Sequence, residues 1–322
     1  MTFQQCGDSK SVVNAPPSYT TTSTSALVES LQHRRFSFLS SGQTRKTVLS
    51  CIRDVVSAPD FTPSSVVPII NACAAALSTA EFSDLLQAHN IEGHTALYWA
   101  IVNERQEAIS ALSGFIPQFS AACSSDLRLA CMTTDDQALF SQLNLGNLNS
   151  KDEPLRRSLG CSPDEIQVDS GDGLGENQFV ARLRIRKFQK RLLTAKDVGV
   201  EFIAGGRIWL FRSSMKRDGR WHISLSLAEL SLPARPVGKI RIEAHRGKTG
   251  SAETPSGLIL AYSKDTAMLV PSGMEKRYNL DGKKERTCVS SDWLMTDWLM
   301  DKNTKYVDCD GTLHVKLEMT LN

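Results

Sequence analysis

Long apolar runs are missing from this chain of 322 residues. No stretch approaches the roughly 18 apolar residues that a membrane-crossing helix requires, so no membrane span is expected. The N-terminus lacks the basic-then-apolar order of a secretory leader, and no Asn-x-Ser/Thr acceptor site occurs. The eight cysteines (6, 51, 73, 123, 131, 161, 288 and 309) are scattered, without one Cys-x-x-Cys pair. Disulfide frameworks belong to short secreted domains, and zinc sites need clustered ligands. The thiols are therefore read as reduced, in a cytoplasmic or nuclear protein, with Cys73 and Cys131 as small core residues. No sustained heptad is present either, which removes the basis for a coiled-coil oligomer.

Catalytic constellations are equally scarce. Asp308-Cys309-Asp310-Gly311-Thr312 copies the nucleophile motif of haloacid-dehalogenase-type phosphatases. That motif needs a buried strand before it and a long α/β domain after it. Here ten residues follow, and Asp-Gly is sufficient as a turn. Gly247-Lys248-Thr249 resembles the end of a phosphate-binding loop, but Ile242 stands where the first glycine belongs. In Gly171-Asp172-Gly173-Leu174-Gly175 the third glycine comes one residue too early for a dinucleotide loop. The six histidines are isolated, and His94 reads as structural. No enzyme, cofactor or metal is expected.

What the chain does have is ordinary globular composition, 41% hydrophobic and 22% charged, enough to bury a core. The net charge of +2 conceals an asymmetry. Residues 1–178 carry 11 Lys/Arg against 19 Asp/Glu, and residues 179–322 carry 26 against 16. Opposite signs in the two halves suggest two domains, able to attract each other or to offer a basic surface to an acidic partner.

Residues 1–44 are rich in Ser, Thr, Gln and Pro, a composition that buries too little apolar surface to offset ordering entropy, so a disordered tail is expected. A short amphipathic helix around Leu27 to Phe38 is the exception. Residues 45–146 show helical spacing, as in Val48, Cys51, Ile52, Val55 and Val56. Residues 147–178 are acidic and Gly/Ser-rich, and read as a linker. Residues 179–322 alternate with period two. Trp221, Ile223, Leu225 and Leu227 are apolar between polar neighbours, and Leu313, Val315, Leu317, Met319 and Leu321 repeat the pattern. Period two belongs to antiparallel strands with one buried face, here about seven or eight of them in a β-sandwich. The fold class is therefore α+β and multidomain.

The centre of the helical region is Gly93-His94-Thr95-Ala96-Leu97-Tyr98-Trp99-Ala100. It resembles the opening of an ankyrin repeat, usually Gly-x-Thr-Pro-Leu-His-x-Ala, with Ala96 for the proline and Tyr98 for the histidine. Ile70, Cys73, Phe82 and Leu85 echo Leu97, Ala100, Ile109 and Leu112 at an interval of 27 residues. Leu127, Ala130, Ala138 and Leu139 echo Leu97, Ala100, Ala108 and Ile109 at 30. The resemblance implies a short, degenerate stack of about three helix pairs.

The C-terminal part resembles a MATH domain, also called TRAF-like, over roughly residues 179–321. Arg186-Lys187-Phe188 stands where that family has a short Asn-Phe element. Gly205-Gly206-Arg207-Ile208-Trp209-Leu210 is similar to its Gly-Gly-x-x-Trp-x-Leu. Ile223-Ser224-Leu225-Ser226-Leu227 is similar to its Leu-Ser-Leu-x-Leu strand, and Asp310-Gly311-Thr312-Leu313-His314-Val315 to its closing Asp-Asp-Thr-Leu-x-Val. The resemblances imply an intracellular adaptor without catalytic activity, binding a protein or peptide partner on the helical stack or along a sandwich edge. Tyr98, Glu104 and Arg105 are the candidate contact residues. The alternative is a basic sandwich that binds nucleic acid or anionic lipid. Arg182, Arg184, Arg186, Lys187, Lys190 and Arg191 form its first cluster, Lys216, Arg217 and Arg220 a second, and Lys276, Arg277, Lys283, Lys284 and Arg286 a third. Aromatics are not interleaved with these cations, as base stacking would require.

Overall fold

The computed structural model describes residues 41–59, 63–146, 152–170, 177–215, 220–245, 257–262, 293–299 and 306–321. The tail expected over 1–44 and the helix expected around Leu27 to Phe38 lie outside the described residues, apart from Ser41 to Thr44, where the first helix already begins. The basic stretch from Lys276 to Arg286 and the cations Lys216 and Arg217 also lie outside them.

The first half is helical. Helix α1 spans Ser41–Ser57, and α2 (Val66–Ala75) follows a short 3-10 turn. Then come α3 (Thr79–Gln87), α4 (Ala96–Val102), α5 (Gln106–Ser113), α6 (Ala121–Thr133) and α7 (Gln137–Gln142). Their starts are chemically marked. Ser78 and Glu81 form a reciprocal capping box on α3. The Thr95 hydroxyl accepts from the Tyr98 amide at 3.1 Å on α4, and Ser120 and Asp136 cap α6 and α7 in the same way. Between α3 and α4 the chain doubles back through a bridge between Ile91 and His94, with Glu92 and Gly93 both at positive φ. Gly93 has the freedom that turn requires.

Two helix-to-helix turns repeat one geometry. Glu104 and Asp135 both have φ 54°, and the amides that follow them, Arg105 and Asp136, bond back to Ala100 O and Cys131 O at 2.7 and 3.0 Å. The interval between these pairs is therefore 31 residues, one more than the expected 30. The shift matters locally: Ala138, expected to match the buried Ala108, is exposed, and Leu139 takes that place in the core. At the earlier interval of 27, Ile70, Cys73, Phe82 and Leu85 are all buried.

The second half is built from strands: β1 (Glu165–Ser170), β2 (Gln178–Ile185), β3 (Asp197–Ile203), β4 (Ile208–Met215), β5 (Arg220–Leu227), β6 (Pro236–Ile242), β7 (Leu258–Tyr262), β8 (Trp293–Leu299) and β9 (Leu313–Leu321). Among the described residues all pairings are antiparallel, in a five-stranded sheet of order β1-β2-β9-β6-β7 and a four-stranded sheet of order β3-β4-β5-β8. The chain is thus α+β, with helices followed by two antiparallel sheets. Strand β9 buries Leu313, Val315, Leu317, Met319 and Leu321 and leaves the residues between them half-exposed. The inner faces share one core. Phe179 of β2 meets Trp209 of β4 at 5.4 Å and Phe202 of β3 at 6.4 Å between ring centroids. Each such fully buried ring is worth about 2–3 kcal/mol. Gly238 sits so close to β9 that a Cβ there would lie 2.0 Å from the Glu318 carbonyl oxygen, which fixes glycine at this position.

The acidic segment 147–178 differs from the expected linker. It carries α8 (Asp152–Ser158) and β1, which extends the five-stranded sheet by one edge. Ion pairing explains the order. Helix α9 (Phe188–Ala195) presents Arg191, fully buried, whose guanidinium is held by Asp152 through Nε at 3.0 Å and by Asp164 through a terminal nitrogen at 2.7 Å. Burial alone would depress Arg191, but the two carboxylates outweigh it and raise its pKa.

Nor are the two halves separate bodies. Ile203, Ile208 and Ala228 from the sheets belong to the helical core. Gln137 Oε1 accepts from the Ile203 amide at 2.6 Å, and Asp135 Oδ1 accepts from the Gly206 amide at 3.0 Å.

Candidate partner-binding cleft

The turns at Glu104 and Asp135, being stacked copies of one conformation, line up on the same side of the helical array. Strand β1 passes across them, and the space left between is a cleft of about 480 Å³. Ile101, Leu139 and Val168 give it an apolar side, and Glu104, Asp135 and Asp136 an acidic one. The carboxylates are not equivalent. Asp135 accepts from the Gly206 amide and from the Ser170 hydroxyl at 3.4 Å. Asp136 caps α7 by accepting from the Leu139 amide at 2.8 Å. Glu104 is exposed, and among the described residues its side chain has neither a hydrogen bond nor an ion pair. A carboxylate above an apolar wall suits a long cationic side chain, whose stem is apolar and whose head is charged.

Of the three residues singled out from sequence, only Glu104 lines this cleft. Tyr98 lies at the other end of α4, half-buried, with its ring stacked on His94 at 3.7 Å. His94 Nδ1 is 2.6 Å from Asp126 Oδ1, and the Thr95 amide donates to Asp126 Oδ2 at 2.7 Å. This network ties α4 to α6 across 31 and 32 positions of sequence. Arg105 is committed to the fold. It donates to the Ala58 carbonyl at 2.6 Å, beside a bond of 2.9 Å from Asn103 to the Val56 carbonyl, and the two close the C-terminal end of α1. Asp135 and Asp136 were not singled out. The signal that finds them is the repeat itself, once Gln106 is aligned with Gln137.

The basic cluster on β2 is largely neutralised. Arg182 pairs with Asp169, and Arg184 and Arg186 pair with Glu165, all across the β1–β2 ladder. Arg191 is inside the protein rather than on its surface. On the outer face of β9, Glu318 is flanked by Lys316 and Lys239 at 2.6 and 2.7 Å. The anions interleaved with these cations reduce the field a phosphate backbone would need.

The phosphatase-like string forms a turn into β9. Asp308 Oδ1 accepts from the amides of Asp310 and Thr312 at 3.2 and 2.9 Å, and Gly311 has φ 82°. Burial would raise the Asp308 carboxyl, but Asp310, these amides and the His314 ring outweigh it and hold it below the usual carboxylate range. Among the described residues no group of three or more His, Cys, Asp or Glu is placed to hold a metal ion, and no helix is long and apolar enough to cross a membrane.

No family model matches the chain, and no curated protein matches it.

Proposed function

We propose that the chain is a non-enzymatic intracellular adaptor that captures a segment of a protein partner, with a Lys or Arg side chain of that segment seated in the cleft. The observation that carries this reading is Glu104, exposed and, among the described residues, without an ion partner at the mouth of a half-apolar cleft where helices and strands meet. An exposed ion pair there contributes up to about 1 kcal/mol, to which burial of the cationic side chain's apolar stem adds.

An ankyrin-like stack for residues 45–146 is supported by the helix pairs, by the Ile91–His94 hairpin ahead of the Thr95-capped helix and by buried residues recurring at 27 positions. A MATH-like sandwich is supported by where its motif strings fall. Arg186-Lys187-Phe188 leads from β2 into α9, Gly205-Gly206 turns into β4, Ile223 to Leu227 is most of β5, and Asp310 to Val315 turns into β9. The alternative of a basic sandwich binding nucleic acid or anionic lipid has less support, because the β2 arginines already have carboxylate partners.

Point variants test this reading better than deletion of either half, since the strands supply Ile203, Ile208 and Ala228 to the helical core. The intact chain and Glu104→Arg are used as bait, and retained proteins are compared by mass spectrometry. The reading expects a partner whose affinity falls about tenfold or more in the variant and which a Lys/Arg-rich peptide displaces. Equal retention by both baits sinks it. Duplex DNA and anionic vesicles, titrated with salt, report on the alternative, because phosphate contacts weaken steeply as salt rises.

A further inference from the structure

Strand β1 has an open edge, and the register of the sheet identifies the backbone groups along it. The Glu243 amide donates to the His314 carbonyl at 3.1 Å, and the Leu321 amide to the Asn177 carbonyl at 2.8 Å. On β9 the even-numbered residues therefore bond towards β6 and the odd-numbered ones towards β2. Leu183, opposite Val315, turns its N–H and C=O to β9, so Val180, Arg182 and Arg184 turn theirs to β1. Their partners Asp169, Gln167 and Glu165 are used in that ladder. Ile166, Val168 and Ser170 are left with amides and carbonyls directed away from the sheet, and among the described residues no hydrogen bond reaches these groups.

We infer that the partner segment docks here as an extended chain, adding an antiparallel strand to β1 and sending one Lys or Arg side chain into the cleft. The inference deepens the cleft reading and rests on it for the seat of the cation. It names the chemistry of the partner: alternating β-forming residues, with the cation at one of the positions that bond to Ile166, Val168 or Ser170.

The edge is built for pairing. Its six residues keep an unbroken register with β2, about 20 Å of strand. It carries no lysine, proline or bulge, the devices that keep sheet edges from pairing. Its acids are already neutralised, Asp169 by Arg182 and Glu165 by Arg184 and Arg186. Strand β3, which also meets the helices, is closed there, because the Ile203 amide donates to Gln137 Oε1 at 2.6 Å. The position of the edge completes the case. Val168 and Ser170 line the cleft together with Glu104 and Asp136. A residue of the added strand that bonds to Val168 lies directly opposite it and shares its face of the sheet. Its side chain therefore enters the cleft on the side of those carboxylates.

The test measures binding of a labelled peptide, Thr-Val-Thr-Lys-Thr-Val-Thr-Val, to the full chain by fluorescence anisotropy. Binding is expected to be about tenfold or more tighter than that of the same peptide with Glu in place of Lys. Methyl groups on the Val and Lys amides, which face β1, should abolish it, whereas methyl groups on the Thr amides, which face solvent, should change it less than about twofold. Ile166→Pro removes an outward N–H and no ladder bond, and should weaken binding about tenfold or more while the circular dichroism spectrum is retained. Equal binding of the two methylated peptides overturns strand addition, as does absence of binding by the Lys peptide. The two readings fail separately. If Glu104→Arg weakens the Lys peptide but the position of the methyl groups makes no difference, the cleft stands and the added strand falls. If the methyl pattern discriminates but Glu104→Arg binds as the unaltered chain does, the strand stands and the seat of the cation at Glu104 falls.

Discussion

Arg128 of α6 and Glu201 of β3 form a two-pronged ion pair, at 2.7 and 3.1 Å, across the boundary between helices and sheets. Its polarity is opposite to the charge balance of the two halves: the cation comes from the acidic half and the anion from the basic one. The pair is nearly buried, at 10% and 13% side-chain exposure, and Arg128 also donates to the Leu145 carbonyl at 2.7 Å. In the 31-residue register Arg128 stands where the preceding helix pair has Leu97. Where α4 has a buried apolar side chain, α6 thus has a charged one, and its contact is with a sheet.

Truncating one partner leaves a nearly buried charge unpaired. Arg128→Leu is expected to lower stability by about 3 kcal/mol, and Arg128→Leu with Glu201→Gln by less than the sum of the two single changes. Urea denaturation of the four proteins of the cycle measures this. A coupling below about 0.5 kcal/mol would show that the boundary is held without this ion pair, by the apolar contacts of Ile203, Ile208 and Ala228 and the hydrogen bonds of Gln137 and Asp135.

Arg191 offers a stronger version of the same experiment, because it and its partners are at most 5% exposed. Arg191→Met strands two buried carboxylates and is expected to cost about 3–5 kcal/mol. Adding Asp152→Asn and Asp164→Asn should recover part of that loss, since neutral amides tolerate burial better than unpaired charges. If Arg191→Met unfolds at the urea midpoint of the unaltered protein, the triad does not hold α8 and β1 to the sheets.

Glu318 provides a pH signature. Lys239 and Lys316 hold its carboxyl down to about 2, from 4.5 for an unperturbed glutamate. A carboxyl lowered in the folded state adds stability above pH 4.5 and loses it as pH falls from 4.5 towards 2. At 29% side-chain exposure, solvent screening limits the contribution to less than about 1 kcal/mol. Glu318→Gln should be less stable than the unaltered protein at pH 7 and equal to it near pH 2, with the gap shrinking in high salt. A gap that persists at pH 2 contradicts the assignment.

The strands of the second half were readable because period-two alternation survives wherever one face is wet and the other dry, as in β9. The first strand was not readable. Strand β1 is an edge with Glu165, Gln167 and Asp169 on its outer side, and such composition looks like a solvated connection until the arginines it faces are known. Regional charge counts hid the same fact, because β1 and β2 cancel one another residue by residue. The register of α6 was missed by one position for a different reason. This helix buries Cys123, Ser124, Asp126, Leu127, Arg128, Ala130, Cys131 and Met132, touching α4 on one side and the sheets on another, so no single apolar stripe marks its phase. Glu104 was legible as a candidate contact residue beside Tyr98 and Arg105; the cleft beside it needed β1, and so was not.

A protein is made from its N-terminus onward, and here that order has a cost. The helices leave the ribosome first, yet the end of their core is finished by Ile203, Ile208 and Ala228, which are added 61 to 86 residues after α7. Until then the outer side of α6 is an uncapped apolar end, exposed at the stage when nascent chains are prone to aggregate. A ribosome halted between the two halves would therefore release a sticky fragment, and chaperone demand should peak in that interval of translation.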